Sequence, residues 1–181
     1  MKLTETPLKD CYLIEPTIFN DSRGYFYEKF NEKTFEKLTG QNGHFVQDNI
    51  SKSSYGVVRG LHLQKGEHAQ AKLVSCLEGS VWDVAVDVRT GSETYGQWFG
   101  VELTAENKLQ LYVPRGFAHG FAVLSETAVF SYKCDNYYSR ESEGGILWND
   151  ADLAIDWKLP IEDIMLSDKD KVQPTFVEKN F

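Results

Sequence analysis

The chain has little to cross-link it and no long apolar run. Its three cysteines, Cys11, Cys76 and Cys134, are odd in number, far apart and without a CxxC pair, which excludes a disulfide framework and a cysteine zinc cluster. No run approaches the roughly 18 to 20 apolar residues of a membrane span, and the opening MKLTETPLKD lacks the apolar core of a secretory signal. A cytoplasmic location is therefore expected. Positive charge is also scarce: 19 Lys and Arg against 27 Asp and Glu leave a formal charge of -8, which argues against a general nucleic-acid or anionic-membrane surface. A small anionic substrate stays open, because a few arginines can converge locally in an acidic protein. No repeat, low-complexity tract or linker is visible, and 181 residues suit one sizeable core, so residues 1–181 are expected to form a single domain.

What the sequence does have is aromatic residues, 13% of the chain, and strand-like patterning. One helix is signalled early. In NEKTFEKLTG, Asn31 is the N-cap, Glu32 stands in the first turn, Phe35 and Leu38 share a face, and Gly40 is the stop. From Phe45 to Ile155 the chain reads instead as strands of five to nine residues broken by Gly, Asn, Asp or Pro. In SVWDVAVDVR, Trp82, Val84, Val86 and Val88 alternate with Asp83, Ala85 and Asp87, the period of a strand, with two carboxylates on one face. In TAVFSYKC, Ala128, Phe130, Tyr132 and Cys134 share one face, and in LQLYVPRGFAHGFAVL two runs flank a PRG turn. Many short strands at this spacing predict a mainly β sandwich or jelly roll. The segment from Ile161 to Phe181 is expected to be a short helix and an irregular tail packed back on the barrel.

The histidines raise the question of a metal. Pro114-x-Gly116-x-x-His119 resembles the second half of the motif of cupins, small barrels that often hold one. Metal-binding cupins place two histidines two apart in the first half, where side chains on a strand point the same way. Here that half reads His62-Leu63-Gln64, with an amide where the second imidazole should be, and the next inward strand begins with Lys72, whose ammonium repels a divalent cation. No metal is expected.

The same groups suit proton transfer at carbon beside a carbonyl. A histidine can accept a proton near neutral pH, the enolate left behind needs a fixed positive charge such as Lys72, and inversion needs a donor such as Tyr132 on the opposite face. Each has a plainer reading: His62 a hydrogen-bonded strand histidine, Tyr132 a core aromatic, Lys72 a solvated strand end, His119 a turn-stabilising or phosphate-contacting group.

Taken in order, DSRGYFYE (21 to 28), FVQDN (45 to 49), RGLHLQ (59 to 64), AQAKLV (69 to 74), VWDVAVD (81 to 87), PRGFAHGF (114 to 121), SYKCDNYYS (131 to 139), SEGGILWND (142 to 150) and LSDKD (166 to 170) resemble the dTDP-4-dehydrorhamnose 3,5-epimerases, metal-independent cupins of nucleotide-sugar metabolism. The resemblance covers nearly the whole chain. It implies a cupin jelly roll (double-stranded β-helix) with a few short helices, needing no cofactor. It implies epimerisation at C3 and C5 of dTDP-4-dehydro-6-deoxy-D-glucose, with a mono-epimerase or a 3,4-ketoisomerase as the alternative and a metal-dependent cupin behind those.

By the same resemblance His62 is the base, paired with Asp170 at the end of LSDKD; Tyr132 is the acid; Lys72 stabilises the enolate oxygen, with Asp83 orienting it. Arg23, Arg59, His119 and Lys169 match contacts to the diphosphate or sugar, Glu28, Gln47, Asp48, Asn49 and Glu143 further substrate contacts, and Tyr138 the ring that stacks on thymine. It also implies a homodimer that exchanges strands, so that the segment from Arg23 to Glu28 completes the neighbouring site.

Overall fold

The structure, a computed structural model, describes residues 1–178. The patterned segments become two antiparallel sheets facing each other across a barrel. The first contains β1 (Lys2–Glu5), β2 (Tyr12–Glu15), β5 (Gln47–Ser54), β7 (Lys72–Glu78), β10 (Gln110–Val113) and β12 (Thr127–Cys134), in the order β1-β2-β10-β7-β12-β5. The second contains β6 (Val58–Gln64), β8 (Ser80–Asp87), β9 (Trp98–Thr104), β11 (Phe117–Val123) and β13 (Glu143–Gly145), in the order β13-β6-β11-β8-β9. A separate hairpin pairs β3 (Phe19–Asp21) with β4 (Gly24–Phe26). This is the expected mainly β jelly roll.

The PRG segment links the sheets instead of closing a hairpin. β10 belongs to one sheet and β11 to the other, and Gly116 takes the left-handed φ of 78° that the turn between them requires. On β8 both faces are buried: Val84 and Val86 pack outside the barrel with Leu61, Ile146 and Trp157, while Val81 and Ala85 join the inner core with Phe121 and Phe130. The face carrying Asp83 and Asp87 is thus an interior face, and both carboxylates are fully buried. Burial there demands partners. Asp87 has Arg89, Ser92 and Thr94 as donors; burial pushes its pKa up, but these donors together hold it below the usual carboxylate range, so the group is more acidic than usual.

The helix α1 spans Glu32–Thr39 as its signals predict: Asn31 Oδ1 accepts from Thr34 N at 3.1 Å, and Gly40 ends it in the left-handed conformation. Phe35 and Thr39 are the residues it buries, while Leu38 stays half-buried. Phe35 packs its ring edge-on against Tyr112 of β10 and Phe45 ahead of β5, fixing the helix over one sheet.

The C-terminal segment forms two 3-10 turns, Ile161–Asp163 and Asp170–Val172, in place of the short helix. It does pack back on the barrel. Met165 exchanges backbone hydrogen bonds with Gly56 and Val58, and Phe176 N donates to the buried Asp150 at 2.8 Å. The end of the expected tail, residues 179–181, lies outside the described residues.

Candidate active site

A cavity of about 460 Å³ opens between the sheets, lined by Arg59, His62, Lys72, His119, Tyr132, Lys169 and Asp170 among others. A smaller one of about 120 Å³ adjoins it, sharing His62, Lys72 and Tyr132 and adding Gln47, Asn49, Tyr138 and Glu143. Side chains from two sheets and from the C-terminal segment therefore converge on one space.

Local geometry explains how β6 delivers two of them. In a regular strand, residues three apart point to opposite sides, yet Arg59 and His62 both face the cavity. The ladder between β6 and β11 is interrupted there: His62 stands opposite His119, but Arg59 stands opposite Phe121, so three steps on one strand match two on the other. The extra residue re-aims a side chain, as a bulge does. Gly60 lies within it at a φ of 139°, and a Cβ there would come within 2.5 Å of Gly120 Cα. Two glycines facing each other let the strands approach where any larger residue would hold them apart.

His62 Nε2 lies 2.5 Å from Asp170 Oδ1, joining β6 to a segment more than 100 residues away. Asp170 is buried, and burial raises the affinity of its carboxyl for a proton. The hydrogen bonds and charges of His62, Ser167 and Lys169 more than offset that, leaving the group more acidic than usual. It stays a carboxylate, able to fix the ring and balance an imidazolium.

Across the barrel, β12 presents Tyr132 and β7 presents Lys72, with the ammonium 5.9 Å from the phenol ring centre. Burial pushes the Tyr132 phenol up, so it keeps its proton at neutral pH, and burial pushes the Lys72 ammonium down against the opposing charges of Cys134, Asp83 and Glu143. The imidazole of His62 on one sheet thus faces a protonated phenol on the other, with the Lys72 side chain beside the phenol.

Asp83 does not pair with Lys72 as expected. Both its oxygens lie 3.0 Å from His119 Nε2, and the two groups are buried together on diagonal positions of β8 and β11. An aspartate already bonded to an imidazole acts on Lys72 only through its field. Gln64, which stands where a metal-binding cupin has its second imidazole, accepts from Ser139 N at 2.9 Å and so holds the loop that carries Tyr138. Among the described residues no three metal-ligating side chains converge.

Glu143 lies between Tyr138, whose hydroxyl donates to it at 3.3 Å, and Lys169, which is ion-paired with it. Burial raises its carboxyl and these partners lower it further, for a net shift towards greater acidity. Three expected residues are not brought in. Asp48 alternates with Gln47 and Asn49 and points out of the barrel to Lys133 at 2.6 Å. Arg23 is highly exposed and pairs with Asp21, and Glu28 accepts from Asn31 Nδ2 at 3.2 Å. His68 sits on the 3-10 turn Gly66–His68, away from both cavities.

A sequence model described as dTDP-4-dehydrorhamnose 3,5-epimerase matches residues 5–178. The chain belongs to this family. The curated epimerase of Salmonella typhimurium is 54% identical over 96% of the chain and 94% of its own length. The crystal structure of the family's enzyme from Elizabethkingia anophelis superposes with a TM-score of 0.98 at 74% identity, covering 100% of the chain and 99% of that one. A dTDP-6-deoxy-D-glucose-3,5-epimerase from Legionella pneumophila, solved in complex with dTDP-4-keto-L-rhamnose, superposes with a TM-score of 0.92 at 52% identity, covering 96% and 92%. Of the motifs quoted from the sequence, RGLHLQ, AQAKLV, PRGFAHGF, SYKCDNYYS and LSDKD all supply residues that line the two cavities. Ser167, which also lines the larger cavity, and the pairing of Asp83 with His119 are not visible in the sequence; only the strand pairing and the close of the LSDKD turn reveal them.

Proposed function

We propose that the chain epimerises dTDP-4-dehydro-6-deoxy-D-glucose at C3 and C5, giving dTDP-4-dehydro-L-rhamnose. The observation that carries the mechanism is the placement of the His62 and Asp170 pair on one wall of the cavity and Tyr132 on the other. One ring nitrogen of His62 is held by Asp170, and the other takes the proton from the carbon next to the C4 ketone. The electrons move onto the C4 oxygen, where the ammonium of Lys72 stabilises the enolate. Tyr132 returns a proton from the opposite face, which inverts the carbon, and the cycle repeats at the second carbon. Arg59, Lys169 and His119 serve the diphosphate and sugar, since guanidinium and ammonium groups match phosphate oxygens. Gln47, Asn49, Tyr138 and Glu143 line the adjoining space for the rest of the nucleotide.

The site is completed by a second copy of the chain. The β3 to β4 hairpin exposes Phe19, Tyr25 and Phe26 at 61%, 60% and 69%, a cluster of aromatic surface that calls for a cover. Its turn carries Arg23, and Glu28 follows it closely in the chain; both are expected substrate contacts that do not reach the cavity of their own chain. A homodimer that swaps this hairpin accounts for both facts. A cytoplasmic enzyme fits a nucleotide-sugar substrate and three free buried cysteines.

The experiment is His62→Ala assayed for turnover and for dTDP binding. Turnover falls by at least about a thousandfold, the scale of a lost general base, while dTDP affinity stays within about threefold. Equal loss of both would make His62 a structural residue and remove the mechanism.

A further inference from the structure

Asp170 uses only one oxygen on His62. The other, Oδ2, accepts from Ser167 Oγ at 2.9 Å, and Ser167 Oγ in turn accepts from Asp170 N at 3.2 Å. Ser167 O also accepts from Asp170 N and Lys171 N, so the serine closes the turn that presents the carboxylate. Ser167 lines the main cavity with His62 and Asp170. We infer that Ser167 is a positioning residue for the epimerisation, the third member of a serine, aspartate and histidine relay in which its hydroxyl fixes the carboxylate rotamer and shares its negative charge. This rests on the reading of His62 as the base.

The physical consequence has a definite sign. A hydroxyl donating to one oxygen draws charge from the other, so it weakens the grip of Asp170 on the His62 imidazolium. Without the donor the carboxylate holds a protonated ring more tightly and turns towards it less reproducibly. The base is then neutral over a narrower pH range, and the proton reaches it from a less uniform geometry. Other charges facing the pair are Glu143 on β13 with its partner Lys169, Lys72 on β7, and Arg59 and His119 on β6 and β11; Tyr132 on β12 faces it as a neutral phenol. None of them donates a hydrogen bond to Asp170 Oδ2 among the described residues, so none substitutes for the serine.

The test measures the pH profile of kcat/KM, with KM and kcat separated, for the full-length protein and for Ser167→Ala and Ser167→Thr. For Ser167→Ala the acidic limb moves up by roughly half a unit to one unit, a fraction of the effect of losing a hydrogen bond to a charged group because the serine acts on His62 only through Asp170. Its plateau kcat falls about three- to tenfold with KM little changed, and Ser167→Thr, which keeps the hydroxyl, restores both. Ser167→Cys, similar in size but a weak donor, gives an intermediate limb and serves if Ser167→Ala is recovered in too low a yield. A limb that stays in place in Ser167→Ala, with or without lower kcat, would overturn the relay and leave Ser167 a turn residue. If the unsubstituted protein moves no carbon-bound proton at all, the function itself fails; if it does and the limb stays in place in Ser167→Ala, the relay alone fails.

Discussion

At the scale of single residues, the division of labour between two carboxylates is the clearest outcome. Asp170 and Asp83 each hold an imidazole, but His62 keeps about a third of its side chain open to the cavity whereas His119 is nearly sealed. Exchange with a substrate needs the open ring, which is why the base is assigned to His62. Tyr132 lies in the opposite situation, with burial keeping its proton in place until a carbanion needs it. Tyr132→Phe removes that proton while keeping the ring packed on Phe130, so turnover to the inverted product falls about a hundred- to ten-thousandfold. Solvent exchange at the carbon facing His62 persists, and NMR of the substrate in heavy water reads both effects together. Exchange lost along with inversion would mean that Tyr132 is needed before the proton leaves. Asp87 illustrates a different use of a buried carboxylate. Its acidity is raised in the folded chain, so the stability it contributes is present above the unfolded carboxylate value near pH 4 and is lost as pH falls through the lower folded value. Asp87→Asn removes the buried partner of Arg89, which keeps its pair with Asp10, and costs about 2 kcal/mol at pH 7, the scale of hydrogen bonds to a charged group. The difference from the unsubstituted protein narrows in urea melts as pH is lowered towards 3; a pH-independent difference would contradict the assignment.

At the scale of elements, the sequence is readable where the signal is local. The α1 boundaries follow from Asn31 and Gly40 because a cap and a left-handed stop act within a few residues. Asn31→Ala therefore costs about 1 kcal/mol and lowers the melting temperature by about 2 to 4 °C, measurable by calorimetry, without changing kcat. The inward face of β12 is equally readable, since alternation alone groups Phe130 with Tyr132 and Cys134. The β6 bulge is not. Nothing in RGLHLQ says that its register slips against β11, and strict alternation would have sent Arg59 and His62 to opposite sides. The pairing of Asp83 with His119 was hidden for the same reason, because cross-strand neighbours depend on register between segments 36 residues apart. The bulge gives a test of its own. Gly60→Ala forces a Cβ against the Gly120 backbone, which has no flexible side chain to yield. The variant loses several kcal/mol of stability, on the scale of the larger single-residue effects, and what folds has its base displaced, so kcat falls at least tenfold. A variant with unchanged melting temperature and kcat would show that the close approach is dispensable.

At the scale of the whole molecule, the two sheets supply a protein interior in which one wall holds His62, the proposed base, and the other Tyr132, the proposed acid, and the C-terminal segment closes the circuit by bringing in Asp170. That long-range closure is legible only through the family resemblance, since no local pattern links residue 62 to residue 170. The outlying hairpin stands apart from both sheets and exposes its aromatic residues. A swapped dimer predicts a mass in solution of about two chains of 20.6 kDa. Phe26→Asp, which puts a charge into the exposed aromatic cluster, shifts light scattering towards one chain and raises KM through the loss of Arg23 and Glu28 from the partner's site. A monomer with unaltered KM would place the substrate wholly within one chain. The central claim is proton abstraction at two carbons by one base, and one measurement addresses it most directly: dTDP-4-dehydro-6-deoxy-D-glucose incubated with the protein in heavy water and followed by NMR. Deuterium at both C3 and C5, with conversion to the L-rhamno ketone, is the predicted result; label confined to one carbon, or migration of the ketone, would contradict double epimerisation.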